Sequence, residues 1–577
     1  MIRMRTFSLL TAAALLFLAT QRQSLAGSAT WSDNPSSGDW NDAANWIPNT
    51  VPNGTSDIAT FGASNVTDVF NSNVIVNLDS LVFNPGAPSY TISAYLDNIE
   101  LSGTGIVNNS GTVQSLIAGT FIFFNSATAG SMTNFNNVGG DVSFLDSSSA
   151  GSATMDLSDN MYQAHLVFFD FSTAGNATIN ASGGAEVSLL DNATGGNATF
   201  TISGESFLGI VEDATAEHAV ATCIGGDQYF GAGIFFQGFG SAGEGTFSAV
   251  GASSSGEKGA YIEFDGSASA ANATFVIGGG LGAGLAATTL TFFDTATAAN
   301  ANITANGGVD GSEGGVIFFE NRSNGGTSSI SLSGNGELDI SSHNGPGLTI
   351  GSLAGQGSVL LGANTLTIGS NNQSTTFSGV IQESGSLTKV STGTLILTSA
   401  NTYTGITTVN GGVLNAGNKR GSATGTGAVQ VNTGTLGGRG IVTGPTTIGT
   451  GSGAGAFLAP AVGSSKQTTL TIQSALTLNS DATYTYSFKA RNSKSRTDLV
   501  IAKGVTINGA TITLSGQTQG SLQQGLTLTL ISNTSANPIS DAFANLPDGG
   551  IVNVNGNNLQ ASYEGGDGND LTLTVVP

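Results

Sequence analysis

Val167-Phe168-Phe169-Asp170, followed by Phe171-Ser172-Thr173-Ala174-Gly175-Asn176 and then Ala177-Thr178-Ile179-Asn180, is the stretch on which the fold turns. Short β-prone runs alternate with Gly, Ser, Thr and Asn, and no 3.6-residue apolar period persists. The same phrase returns as Phe-Phe-Asn at 123–125, Phe-Leu-Asp at 144–146, Leu-Leu-Asp at 189–191 and Val-Glu-Asp at 211–213. Further copies stand at 235–237, 263–265, 292–294 and 318–320, ending in Gln237, Asp265, Asp294 and Glu320. The third residues of the nine copies lie 21, 24, 21, 22, 24, 28, 29 and 26 apart. That is the length of one solenoid coil, with the variation that loop insertions allow. The period predicts an all-β, right-handed parallel β-helix with coils of about 21–29 residues. About 20 coils at ~4.8 Å each between residue 100 and the C-terminus would make a rod near 100 Å long.

Composition agrees with stacked coils. Only 9% of the 577 residues are charged, against about a quarter in an ordinary domain, while 84 are Gly and 39% are hydrophobic. The apolar content is too high for a charge-swollen disordered chain. A net charge of −23 excludes nucleic acid as partner, because its binders need clustered cations. That charge is uneven: residues 23–257 hold no Lys or Arg, whereas 389–503 hold ten against Asp481 and Asp498. The single Cys223 rules out an intramolecular disulfide and reads as a buried thiol.

Arg3 and Arg5, an apolar run over 7–19 and Ser24-Leu25-Ala26 form a secretory signal, helical and cleaved near Ala26. The protein is therefore expected to be secreted or cell-surface. No later stretch reaches the ~18–20 apolar residues of a membrane helix, so no membrane span is expected in the mature chain. Asn-x-Ser/Thr triplets, as at Asn176, Asn192 and Asn197, read as repeat consensus. The organisation expected is a signal peptide over 1–26, a capping segment with a Trp cluster over 27–110 and a repeat β-helix over 111–345. Solenoid over 346–420 and a C-terminal solenoid or cap over 421–577 complete it.

A more specific pattern lies at residues 385–414. Leu387-Thr388-Lys389, Gly393-Thr394-Leu395 and Asn401-Thr402-Tyr403-Thr404-Gly405 are its distinctive words, with Ser391 where Gly is usual. This segment resembles the autotransporter-associated β-strand repeat of exported bacterial passenger proteins. The flanks, Trp40-Asn41, Ala44-Asn45-Trp46 and Asp567-Gly568-Asn569-Asp570, are similar to such proteins too. The resemblance implies a parallel β-solenoid at or outside the cell surface, with no catalytic residues. Residues 446–577 are too few for a full transmembrane barrel, so none is expected there, and Val575-Val576-Pro577 is not expected to serve as a Pro-Glu-Pro sorting tail.

Each candidate site has a plain structural alternative. The repeated acids Asp146, Asp170, Asp191, Asp213, Asp265, Asp294 and Glu320 would stack about 5 Å apart, the separation of retaining glycosidases. A catalytic pair needs two differentiated acids, so solvated turn acids are the expectation, with calcium second. Gly565 to Leu573 fits the calcium β-roll phrase and makes Asp567 and Asp570 weak calcium candidates, although a lone copy has no neighbouring turn to share the ion. Trp31, Trp40 and Trp46 read as a plug for the N-terminal end of the solenoid rather than a sugar platform. His165, His218 and His343 stand singly, and the basic run Lys489 to Arg496 reads as a solvated loop. No cofactor is expected. The function that follows is an exported, non-enzymatic, adhesin-like surface solenoid whose partner is a cell-surface or extracellular polysaccharide. The alternative is a polysaccharide-binding or polysaccharide-processing β-helix.

Overall fold

The computed structural model describes residues 27–577 except 73, 139, 159–163, 227–230 and 454. The expected signal helix, within 1–26, lies outside the described residues. In the coil quoted above, His165–Phe168 is one strand and Thr178–Ser182 another. His165–Phe168 pairs in parallel with Asp141–Phe144 of the preceding coil and Glu186–Leu189 of the next. Thr178–Ser182 does the same with Ser152–Ser158 and Thr199–Ile202. A third side is held by single parallel bridges running from Thr128 through Ser149, Thr173 and Thr194 to Asn324. The result is an all-β parallel solenoid of about 18 coils. Helix among the described residues is confined to the short 3₁₀ turn Ala43–Asn45. At ~4.8 Å per coil the stack is about 85 Å long.

The strands alternate buried and outward residues, so every second side chain enters the lumen. Lumen residues stack on their equivalents one coil away. Phe123, Phe144 and Phe168 form one run of near-parallel rings, with centroids 4.6 and 4.9 Å apart. Leu189 and Ile210 continue the column, and Phe236, Phe264, Phe292 and Phe319 resume it at 4.3, 4.8 and 4.8 Å. Cys223 lies in a parallel column, fully buried, and burial pushes its thiol up to about 12.

Pairing corrects the repeat register by one residue in four of the nine copies. Leu189 pairs with Ile210, so the counterpart of Asp191 is Glu212, not Asp213. Phe236, Phe264 and Phe319 likewise occupy the lumen, which moves the corner from Gln237, Asp265 and Glu320 to Gly238, Gly266 and Asn321. All nine corner residues have left-handed backbones, from Asn125 (φ 55°) and Asp170 (φ 57°) to Gly238 (φ 68°) and Asn321 (φ 54°). Asn, Asp and Gly tolerate that region best, which explains the residue choice without any need for charge. The carboxylates have a second task. Those of Asp146, Asp170, Asp191 and Glu212 accept the corner N–H of the preceding coil at 2.9, 3.1, 3.4 and 3.2 Å. Replacing Asp170 by Ala is expected to lower stability by about 1–2 kcal/mol, and Asp170→Gly by less, measured by denaturant unfolding. Equal losses would mean that the corner conformation is not what selects this residue.

Antiparallel pieces close both ends. Ala29–Trp31 pairs antiparallel with Trp46–Ile47, which brings the three Trp together. All three are buried, with Trp31–Trp46 and Trp40–Trp46 centroids 5.0 and 4.8 Å apart over Phe61. Their indole N–H groups donate to the carbonyls of Val66, Pro52 and Trp40. The rings therefore plug the first coil, and no indole face is left as a sugar platform. At the other end Thr527–Asn533, Asp570–Val576, Asn557–Gly565 and Ile551–Val554 pair antiparallel in succession, ending the parallel ladder that would otherwise invite further strands.

Candidate functional site

Residues 386–416 sit flush within the stack. Leu387 pairs with Leu366 below and Thr407 above, and Thr407 pairs on with Val429. Leu387 and Leu395 fill the lumen, while Thr394 faces outward on the same strand as Leu395. Ser391 has φ 61°, which accounts for the Gly usual at this position. A Cβ at Gly393 would lie 2.2 Å from the Gln373 carbonyl oxygen, and one at Gly405 2.3 Å from that of Gly385. Both glycines are needed for close approach of adjacent coils.

The polar members of the motif replace missing ladder bonds. Asn401, buried at the corner, accepts the Ile381 N–H at 2.8 Å and donates to the Ala423 carbonyl at 2.6 Å, so one amide ties three coils. Tyr403 is fully buried, with its hydroxyl 2.6 Å from Thr407 Oγ1, and Thr402, between Asn401 and Tyr403, is exposed. Lys389 is 1% exposed, and its ammonium donates to the carbonyls of Val390, Ser391 and Gly411. Leu387, Lys389, Gly393, Leu395, Asn401, Tyr403 and Gly405 thus each have a packing or hydrogen-bonding role within the stack, whereas the side chains of Thr394 and Thr402 face outward.

Burial pulls the Lys389 ammonium down from 10.5 to about 8. The folded chain therefore releases this proton before the unfolded chain does. The cost of the buried charge is present in full below pH 8 and is relieved as pH rises toward 10.5. Relative to Lys389→Met, the native protein should gain about 2 kcal/mol between pH 8 and 10. Paired denaturant titrations at the two pH values check this, and a pH-independent difference would sink it.

The remaining candidates separate. Asp567 and Asp570 lie on an antiparallel hairpin, Asp570 at the start of Asp570–Val576, not on a parallel β-roll turn. The Asp570 carboxylate accepts the Asn533 N–H at 2.8 Å, and burial raises its pKa. Among the described residues no three His, Cys, Asp or Glu are grouped to hold a metal ion. His165 meets Asp141 at 2.9 Å, His218 meets Glu244 at 3.6 Å, and His343 lies 2.9 Å from the Ser323 carbonyl. Glu263 escaped the sequence reading: burial, then the charges of Asp265 and Glu320, push its carboxyl up to about 7. Its partners in the flanking coils are Phe235 and Thr291, so the ladder aligns no second acid with it.

The basic run is a hairpin, not a loop. Ala482–Arg491 and Lys494–Thr497 pair antiparallel, and Ala482–Arg491 also pairs in parallel with Thr511–Gln519. Beside it Ser465, Lys466, Gln467, Lys489, Arg496 and Thr497 line a depression of about 370 Å³.

Residues 387–416 match the passenger-associated-transport-repeat family. The adhesin BmaC autotransporter of Brucella suis biovar 1 (strain 1330) is 37% identical over 98 residues, which cover 17% of this chain and 3% of that protein. No solved structure matches the chain. No helix among the described residues is long and apolar enough to cross a membrane. The segment singled out for its resemblance to exported passengers is thus the segment that matches the family, and the chain carries a passenger-associated transport repeat inside a passenger-like parallel β-solenoid.

Proposed function

We propose that the protein is an exported, non-enzymatic solenoid that acts outside the cell as an adhesin-like surface or matrix component, holding extracellular or cell-surface polysaccharide along its outward faces. The observation that carries this reading is the unbroken ladder through the transport repeat, from Leu366 to Leu387, Thr407 and Val429. The repeat is one more coil of a single rod, as a passenger would require. Support against catalysis comes from the successive corner acids Asp146, Asp170, Asp191 and Glu212, whose carboxylates each accept a backbone N–H in the same way, leaving no differentiated pair. The N-terminal segment supports export.

The test is incubation of the full chain with immobilised plant, algal and bacterial polysaccharides, scoring retention and chain shortening together. Retention with polymer length unchanged is expected. Depolymerisation that a single Asp or Glu substitution abolishes would overturn the proposal.

A further inference from the structure

The hairpin of Ala482–Arg491 and Lys494–Thr497 carries a charge arrangement that the solenoid's packing does not call for. Alternation along the first strand buries Phe488 and Ala490 and turns Lys489 and Arg491 outward. Across the pair, Lys489 stands directly opposite Arg496, and Arg491 directly opposite Lys494. Like charges facing each other across an antiparallel pair destabilise it. Among the described residues no carboxylate relieves them: the ion pairs are His165–Asp141 and His218–Glu244, neither of which involves a Lys or Arg, and the Lys489 ammonium donates to the Ser465 carbonyl at 3.4 Å. The nearest carboxylate in sequence, Asp498, is buried and already accepts the N–H groups of Thr468 and Ser487 and the Ser487 hydroxyl.

Two of these four cations, Lys489 and Arg496, border a concavity. Lys489 and Arg496 line the 370 Å³ depression together with Lys466, and Ser465, Gln467 and Thr497 add hydroxyl and amide groups. Its volume lies at the small end of the range for small-molecule sites. Cations that match carboxylate or sulfate, interleaved with short polar groups that match sugar hydroxyls, are the chemistry of an anionic glycan site. The rest of the molecule sharpens the choice, since 31 of its 38 acids precede residue 384. An anionic polymer is repelled along most of the rod and drawn to this one end.

We infer that the basic hairpin and its depression form a binding site for an acidic polysaccharide, one bearing carboxylate or sulfate on successive sugars. This deepens the surface reading above and rests on it. Lys466, Lys489 and Arg496 hold the anionic groups in the depression, and Arg491 and Lys494 extend the track along the hairpin face.

The experiment compares the full chain with a Lys489→Gln, Arg491→Gln, Lys494→Gln, Arg496→Gln variant on polygalacturonate, dextran sulfate and neutral dextran, at low and high salt. Binding to one or both anionic polymers, at least tenfold weaker in the variant and weakened by salt, is expected. The choice between the two polymers identifies carboxylate or sulfate as the anion. A second variant, Lys489→Arg with Arg496→Lys, keeps the charge and should retain binding, which separates charge from folding. Unchanged anionic binding in the Gln variant overturns this site alone and leaves the surface reading standing. Equal retention on neutral dextran, or displacement by double-stranded DNA as effective as by the free glycan, also overturns it. Retention on no polysaccharide at all overturns both readings.

Discussion

Phe264→Ala is expected to lower stability by about 3–5 kcal/mol and to open its own coil first. Phe264 is fully buried, with ring centroids 4.3 Å from Phe236, 4.8 Å from Phe292 and 5.7 Å from Phe275. The two stacked neighbours lie nearly parallel to it, at 3° and 16°, so one truncation removes contacts on both sides of the layer. Collapse cannot fill the void, because Tyr261–Phe264 is held in register by Gly233–Phe236 below and Thr289–Phe292 above. Repeat arrays unfold by neighbouring units, so amide hydrogen exchange of these three strands is a better measure than one global midpoint. Exchange about a hundredfold faster or more is expected there, and little change near Trp31. Phe171→Ala is the control, since that side chain is 68% exposed. A loss below about 1 kcal/mol at Phe264 would mean that the stacked column is not the core of this stretch.

Asn401→Leu is expected to cost about 2–5 kcal/mol at nearly constant volume. Leu cannot make either bond, so the Ile381 N–H and the Ala423 carbonyl lose their partner in a buried corner. Each unsatisfied group carries about 1–3 kcal/mol of desolvation. Thr402→Ala, one residue along and exposed, should change stability by less than about 0.5 kcal/mol. The comparison reads by denaturant unfolding with exchange protection at Val380–Gln382. A neutral Asn401→Leu would show that the amide does not tie the coils.

Fold class was legible in the chain because a stacked architecture writes its period into the sequence. Each coil repeats the same inward apolar side chain and the same small-residue turn, so a spacing near 21–29 residues announces parallel stacking. Register was not legible in four copies. Phe235-Phe236 and Phe318-Phe319 offer two adjacent apolar residues, and only the pairing of Ile210 with Phe236 and Phe292 with Phe319 decides which enters the lumen. Counting acids misled for the same reason: the corner selects a left-handed backbone, and Asn125, Asp170, Gly238 and Asn321 meet that demand equally.

The transport-repeat words could be found in the sequence, yet their purpose could not. Lys389 and Asn401 read as polar residues of unknown task until the coils above and below supplied the carbonyls and N–H groups that they satisfy. The basic run was visible as composition and misplaced as a loop, because alternation over Phe488-Lys489-Ala490-Arg491 is short and its partner strand carries no apolar residue.

The sequence by itself determined the solenoid, its coil length, its Trp-plugged end and the segment that matches exported passengers, since all of these depend on local spacing and residue type. Only the tertiary structure decided which residue of each coil faces inward, which acids are spent on backbone N–H groups and which cations face one another across a hairpin. Those outcomes depend on contacts between coils, and a shift of one residue exchanges the two faces of a strand without altering the period that reveals it.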